Sequence, residues 1–161
     1  IMTTNFEQLT NRFNSLIAEQ QALRVKFRAD AQTMFKESLK TFFDMNPGVS
    51  ALLWTQYTPY FNDGDPCVFN VHDVHFTNAE GKELNNVSVW GEYEGEDENV
   101  WVEYYAKSLA GKEGVDVSSC DFISGMIQSS DMKDIMKEMF GDHVSVIVTR
   151  SGIDVEEYEH D

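Results

Sequence analysis

Residues 51–76 read ALLWTQYTPYFNDGDPCVFNVHDVHF, and this stretch decides the class of fold. Its first half is rich in aromatic and β-prone residues, and its end, VFNVHDVHF, alternates two sets of side chains as a strand does. The NDGD sequence at 62–65 is typical of a reversal, since Asn and Asp bond to nearby backbone groups and Gly accepts a positive φ. Pro66 has no N–H and fits the start of a second strand. The stretch therefore predicts two antiparallel strands, near 50–60 and 67–77.

The chain continues with further short elements. EGKE at 80–83 is another turn signal, and NNVSVWGEY predicts a third strand near 85–93. The segment 94–111 has two interpretations. Its acidic head and helical spacing predict a helix, whereas the β-prone VWVEYY predicts a strand at 99–106.

Two short helices and a hairpin are predicted at the C-terminal end. SSCDFISGMIQSSDMKDIMKEMF predicts helices near 118–128 and 130–140, the second ended by Gly141. HVSVIVTR followed by SGIDVEEYEH predicts two strands, and the Ser-Gly pair at 151–152 allows a tight turn between them.

The N-terminal part of the chain predicts a long helix. Residues 4–43 contain neither Pro nor Gly, and apolar residues recur at alternating spacings of three and four, which is a heptad pattern. Thr4 or Asn5 can cap its start, and NPG at 46–48 ends it. The apolar seam comprises Phe6, Leu9, Phe13, Leu16, Leu23, Phe27 and Met34, with Gln20 and Asp30 at its two polar positions.

Some forty helical residues would span about 60 Å, which is about twice the diameter of a small domain. The helix either folds back, with a break near 14–15, or stays long and pairs with a partner helix. Polar residues on the seam favour the second arrangement, because they suit a paired segment better than a sealed core. We therefore predict a homo-oligomer that associates through this helix, at Phe13, Leu16, Gln20, Leu23 and Phe27.

These elements together predict an α+β protein. A long N-terminal helix is followed by an antiparallel β-sheet of about five strands with short packing helices. Residues 1–45 form the helix, a self-association element, and residues 46–161 form an acidic α+β domain.

The 161 residues and the 42% hydrophobic fraction are those of an ordinary globular chain that needs no disulfide or metal to fold. No apolar run approaches the roughly 18 residues that span a bilayer, and the start shows no signal peptide. We interpret the two cysteines, Cys67 and Cys120, as reduced thiols in a cytoplasm.

The net charge of −16 is unevenly distributed. Residues 1–45 carry six basic and five acidic side chains, which leaves six basic and 23 acidic side chains for residues 46–161. Such a domain repels nucleic acid and anionic membranes and attracts basic surfaces. This excludes direct binding to nucleic acid or a membrane and favours a protein partner with a basic surface. The alternative is an acidic surface that serves solubility alone.

The densest acidic band is the candidate partner-binding site. Carboxylates at this spacing can imitate the phosphate repeat of a nucleic acid, although most charge runs are solvated surfaces. Tyr57 and Tyr60 join the site if they are exposed, since exposed aromatic residues are binding hot spots. The candidate residues are Glu92, Glu94, Glu96, Asp97, Glu98, Glu103, Tyr57, Tyr60, Asp63 and Asp65, and further acids end the chain at Glu156, Glu157, Glu159 and Asp161.

Metal and cofactor sites are not predicted. Counted from Asp63, the sixth and twelfth residues of a calcium loop would be Val68 and Val74, so the EF-hand pattern fails. In HDVH, His72 and His75 have opposite parity on a strand and should point to opposite faces. Phosphate loops, nucleophile elbows, HExxH and paired CxxC motifs are absent from the sequence.

An enzyme is the alternative to a binding protein. Its site would lie near Asp63, Asp65, Asp73 and His75, and Cys67 with His75 is a conceivable nucleophile pair. A second alternative is a structural oligomer built on the N-terminal helix.

The sequence WTQYTPYFNDGDPC at 54–67, followed by VFNVHDV, resembles a segment of small hypothetical proteins of tailed bacteriophages and some bacteria. This family has no assigned activity. The resemblance implies a phage early or accessory protein in the host cytoplasm, where such proteins inhibit host or defence enzymes, sometimes by acidic mimicry. With the charge, it gives the leading hypothesis: an acidic inhibitor or decoy that engages a basic surface of a host or anti-phage defence enzyme.

Overall fold

The structure is a computed structural model that describes residues 5–61, 63–104 and 106–160. The chain divides into two compact units, Ile1–Lys36 and Glu37–Asp161. Within the described ranges, none of the helices combines the length and the apolar character needed to cross a bilayer.

A single uninterrupted helix, α1, spans Phe6–Met45. The prediction of one long helix is confirmed, and the folded-back hairpin with a break near 14–15 is wrong. The side chain of Asn5 accepts a hydrogen bond from the Gln8 N–H at 2.9 Å, and its own N–H donates to the Gln8 side chain at 3.2 Å. This reciprocal pair caps the helix. Thr4, the other candidate cap, lies outside the described residues.

The described strands form one antiparallel sheet, in the order β4-β3-β1-β5-β6 with β2 also paired to β1. This confirms the α+β class and adds one strand to the predicted number. The strands are β1 Ala51–Tyr57, β2 Asn70–Val71, β3 His75–Thr77, β4 Val102–Glu103, β5 Val144–Thr149 and β6 Gly152–Glu157. The helices after α1 are α2 Ala106–Leu109, α3 Val117–Ile127 and α4 Lys133–Phe140, with 3-10 turns at Gly81–Asn86 and Ser130–Met132.

A one-residue bulge divides the predicted strand 67–77 into β2 and β3. Gln56 pairs with Val71 and Leu53 pairs with His75, so three residues of one strand lie opposite two of the other. The inserted residue reverses the parity of the side chains. His72 stacks on Tyr57, and His75 pairs with Leu53, so both histidines lie on the same face of the sheet. The prediction that they point to opposite faces is wrong for this reason.

The predicted strand at 85–93 is also wrong. The segment begins in the last residues of the 3-10 turn Gly81–Asn86. The residues after it form a tight loop, which a single antiparallel bridge between Val87 and Tyr93 closes. The loop turns at Gly91, which has a φ of +83° that a continuous strand would not contain. For residues 94–111, the strand and the helix interpretations are each confirmed in part. The short strand β4 is followed by the short helix α2.

One buried side chain, Asn46, joins three segments at the end of α1. Its amide nitrogen donates to Ser119 Oγ at 2.7 Å, and its side-chain oxygen accepts from the Asp116 N–H at 2.7 Å. Its carbonyl accepts from Arg150 at 2.8 Å. The NPG sequence at 46–48 thus ends the helix as predicted, and Asn46 also fixes the start of α3 and the β5–β6 hairpin.

Candidate functional site

Residues 88–99 form a loop, hereafter the acidic loop, that covers part of one face of the sheet. A hydrogen bond of 3.0 Å from Gly91 N to Ser88 O closes its first turn. Exposure alternates along it, because Tyr93 and Gly95 are half-buried between exposed acids. The exposed carboxylates of the loop are Glu92, Glu94, Glu96, Asp97 and Glu98.

Tyr93 anchors the acidic loop. Its ring packs against a buried cluster that includes Leu53. Its hydroxyl donates to the Glu83 carboxylate and accepts from the Asp97 N–H at 3.1 Å. Burial, and then the bond to Glu83, raise the pKa of Tyr93. These bonds hold the backbone from which the carboxylates of the loop project.

A second anchor is the close approach of Gly91 to His75. The ring of His75 lies where a Cβ on Gly91 would be, so only glycine fits. Burial lowers the pKa of His75, although the charge of Asp73 opposes this. The neutral ring is therefore favoured beneath the loop.

The strand β6 brings more carboxylates to the same face. Asp154 pairs with Ile147, which packs against the cluster beneath the acidic loop. Alternate residues of a strand share a face, so Asp154, Glu156 and Tyr158 lie on that side. Trp90 Nε1 donates a hydrogen bond to the Tyr158 hydroxyl at 2.9 Å. Two acidic segments that are distant in sequence thus meet. The carboxylates of the acidic loop, together with those of Asp154 and Glu156, are hereafter the acidic face.

The segments that carry the acidic face lack lysine and arginine. Residues 83–106 and 151–161 contain neither Lys nor Arg. Where the structure describes side chains, the ion pairs within 4.0 Å centre on Asp142 and include none of these carboxylates. The field of the acidic face therefore extends into solvent.

Three other acids of the sequence prediction lie apart from the acidic face. Glu103 follows Val102 in β4, and successive residues point to opposite faces, so Glu103 is on the other side of the sheet and is half-buried. Asp63 and Asp65 are exposed in the turn after β1, where Gly64 has a φ of +81°.

Tyr57 and Tyr60 belong to a stack of aromatic rings at the end of the sheet. Tyr57 lies 4.1 Å from His72 and 3.7 Å from His160 between ring centroids. Tyr60 stacks on His160 at 4.3 Å. Tyr60 is 63% exposed, as a hot-spot residue would be, whereas Tyr57 is half-buried.

The imidazoles of His143 and His160 are joined edge to edge. His143 Nδ1 lies 2.8 Å from His160 Nε2, and His143 is the described non-glycine residue with a positive φ, of 56°. Asp142 beside it accepts two hydrogen bonds of 2.7 Å from Thr58. Burial alone would raise the pKa of Asp142, but the bonds from Thr58, together with the nearby His143 and its N–H, lower the pKa.

Burial also shifts the pKa values of His72 and Tyr57. It lowers the pKa of His72, and His160 adds to the effect while Asp73 opposes it. Burial and the nearby Tyr158 raise the pKa of Tyr57. His72 Nε2 and His75 Nδ1 are buried and have no hydrogen-bond partner among the described groups. A proton on either ring would therefore be poorly accommodated.

The enzyme alternative receives little support from geometry. Asp73 is exposed and accepts a long bond of 3.4 Å from Gln128, while His75 lies against Gly91. A cleft of about 400 Å³ is lined by Pro47, Gly48, Asn78, Asn99, Trp101, Glu113 and Gly114, and none of the candidate catalytic residues is among them.

The geometry gives little support to a catalytic cysteine or to a metal site. Cys67 is exposed and Cys120 is buried, and both are free thiols. Burial raises the pKa of Cys120 to about 12, so it is no nucleophile at neutral pH. The described residues contain no group of three His, Cys, Asp or Glu arranged to hold a metal ion.

The predicted self-association residues all lie on the exposed part of α1. Every residue from 5 to 30 is exposed. Among the large apolar side chains, Phe13, Leu16 and Leu23 are 62%, 63% and 68% exposed. Phe27 is 54% exposed, and Gln20 lies between them on the same seam.

Sequence reasoning missed Trp90, Tyr158, His143 and His160. His143 and His160 are 17 positions apart, and their meeting depends on the register of the β5–β6 hairpin. An available signal was the C-terminal hairpin, which was predicted correctly and places Tyr158 beside His143 through a bond of 2.8 Å from Tyr158 N to His143 O.

Comparisons of the chain with protein-family models, with curated proteins and with solved structures find no match.

Proposed function

We propose that this chain is a binding protein whose acidic face engages a basic surface on another protein. The observation that carries the proposal is the bond between Trp90 and Tyr158, which joins the acidic loop to β6. Without that contact, the acids would be two separate solvated runs. With it, they form one uncompensated surface.

Exposed aromatic side chains support a protein partner. Trp90 is 67% exposed and Tyr60 is 63% exposed. Exposed Trp and Tyr are enriched in binding hot spots, and a surface that served solubility alone would not need them.

The class of partner is a nucleic-acid enzyme of a host or of an anti-phage defence system, acting in the host cytoplasm. The acidic face would occupy its basic channel as an inhibitor or decoy. Fixed carboxylates around an aromatic anchor suit this role, because the basic channel of such an enzyme is built to hold phosphates. The resemblance of residues 54–67 to phage proteins supports this context.

Capture from a bacterial lysate tests the proposal, with two variants of equal charge change. In the loop-neutral variant, the substitutions are Glu92→Gln, Glu94→Gln, Glu96→Gln, Asp97→Asn and Glu98→Gln. In the control-neutral variant, five exposed acids elsewhere change: Glu37→Gln, Asp44→Asn, Glu113→Gln, Asp121→Asn and Asp131→Asn. We expect nucleic-acid enzymes to be captured by the wild type and by the control-neutral variant, and to be lost from the loop-neutral variant.

Salt and a competitor sharpen this test. Since the attraction is electrostatic, capture should fall as ionic strength rises from about 0.05 M to about 0.5 M, and added duplex DNA should release the partner. Capture that is indifferent to salt, or equal for both neutral variants, would contradict the proposal.

A further inference from the structure

The exposed part of α1 is a second surface, unrelated to the acidic face. Every residue from 5 to 30 is exposed, including large apolar side chains on one stripe. Helices in proteins owe most of their stability to packing of such a stripe, and isolated ones are marginal in water. A stripe of this length therefore requires an apolar partner.

The spacing of the stripe identifies the partner as another helix. Its members recur with a mean period of 3.5 residues, which is the period of a left-handed coiled coil rather than of packing on a flat sheet. In heptad notation the a positions are Phe6, Phe13, Gln20, Phe27 and Met34, and the d positions are Leu9, Leu16, Leu23 and Asp30.

We propose that two copies of this chain associate through residues 6–30 of α1 as a parallel, in-register coiled coil. In that arrangement Gln20 lies opposite Gln20 of the second copy, and the two amides can bond to each other. A single polar residue at an a position is a known device that sets register and the number of chains. At the end of the segment Asp30 would meet Asp30 of the second copy, which is a repulsive contact. The next residue, Ala31, is buried.

The flanking charges favour the parallel orientation. Here a g position of one helix meets the next e position of the other, so Glu19 faces Arg24 of the second copy, and the pair occurs twice by symmetry. An antiparallel pair over the same residues brings g positions together. Glu19 would then meet Glu19, and Arg12 would meet Lys26, so both contacts would be repulsive.

The same residues exclude a good antiparallel core. In that alignment Gln20 would lie opposite Leu16, and Asp30 opposite Phe6. Each polar group would then be buried against an apolar side chain without a hydrogen-bond partner. The parallel pairing avoids the contact of Gln20 with Leu16. It places Asp30 at the end of the seam.

Sedimentation equilibrium of the full chain tests whether the seam associates. We expect a mass of twice 18.4 kDa for the wild type. Leu23 and Val25 are 68% and 65% exposed, but only Leu23 is on the seam. Leu23→Glu should weaken dimerisation by about a hundredfold or more, whereas Val25→Glu should change it by less than about threefold. Equal effects of the two substitutions, or a monomeric wild type, would overturn the proposal.

Disulfide cross-linking tests orientation, in a Cys67→Ser background. Leu9→Cys should cross-link to itself in oxidising buffer, because d positions meet in a parallel pair. Asn11→Cys, which points away from the seam, should not. An antiparallel pair would hold residue 9 about 27 Å from its own copy, so that cross-links would form only in a mixture of Leu9→Cys and Phe27→Cys chains. That result would overturn the parallel assignment.

Charge reversal tests the register. Glu19→Arg and Arg24→Glu should each weaken dimerisation by about fivefold at low salt, and the double variant should restore it. Additive weakening in the double variant would contradict the proposed pairing.

Discussion

The acidic loop and residues 5–30 of α1 are both exposed, but they are held in different ways. The loop is fixed by its own chain, through the hydroxyl of Tyr93 and the close approach of Gly91 to His75. The helical segment has its apolar seam in solvent. A chain can position charge on its surface by itself, because charges remain solvated. The seam of α1 is left uncovered by the described residues, and we propose that a second copy of the chain covers it.

The largest expected effect comes from breaking the anchor of the loop. Gly91→Ala places a Cβ in the ring of His75 at a φ of +83°. We expect the free energy of unfolding to fall by about 1–3 kcal/mol, as measured by urea denaturation.

Gly125→Ala is the matched control. A Cβ at Gly125 meets no atom within 4 Å, and the residue lies in α3. The same change should raise the free energy of unfolding by about 0.5–1 kcal/mol, because alanine is the better helix former. If both substitutions change the free energy of unfolding in the same direction, Gly91 does not anchor the loop.

A smaller effect is expected from loosening the loop without a clash. Tyr93→Phe removes the hydroxyl that holds Asp97 and Glu83. We expect a modest fall in the free energy of unfolding, together with weaker capture of a basic partner. Tyr60→Phe keeps its ring stacked on His160 and should change stability by less than about 0.5 kcal/mol. Unchanged capture by Tyr93→Phe would show that the fixed geometry of the loop is unimportant.

The smallest expected effect is a dependence on pH. Burial lowers the pKa of His72 and His75 in the folded chain, so below the ordinary histidine pKa of about 6.5 the unfolded chain binds more protons. Stability from these groups is full above that pH and is lost as the pH falls toward their folded pKa. We expect a shallow decline, well below the limit of about 1.4 kcal/mol per pH unit for each histidine, because both rings are partly solvated.

His72→Phe checks this assignment, because phenylalanine can keep the stack on Tyr57 without titrating. Thermal unfolding between about pH 5 and pH 7 should show a shallower slope for the variant. A slope equal to that of the wild type would contradict a role for His72. The lowered pKa of Asp142 adds a separate loss of stability at more acid pH, below the ordinary Asp range.

Local signals in the sequence predicted much of the fold. The heptad spacing, the cap at Asn5 and the NPG stop predicted α1, and the alternation of HVSVIVTR and the Ser-Gly turn predicted the β5–β6 hairpin. These elements depend on residues that are close in sequence, so propensity and pattern suffice.

Non-local features were not predictable in the same way. One extra residue between Val71 and His75 creates a bulge, and a bulge reverses parity without leaving a composition signal. The segment 85–93 was predicted as a strand, because the need for glycine at Gly91 comes from the distant His75 and leaves no local signal. For the site, the sequence identified the acids of the loop but not the contact of Trp90 with Tyr158 that unites them with β6.

The most direct test of the acidic face uses Trp90 as a reporter. Trp90 is 67% exposed at the junction of the two acidic segments, whereas Trp54 is fully buried, so the difference from a Trp90→Phe variant isolates its fluorescence. Titration with an oligo-arginine peptide at low salt should give a saturable change in the wild type and the control-neutral variant. The change should be lost at high salt and in the loop-neutral variant. An equal change in the loop-neutral variant would contradict a binding role for the acidic face.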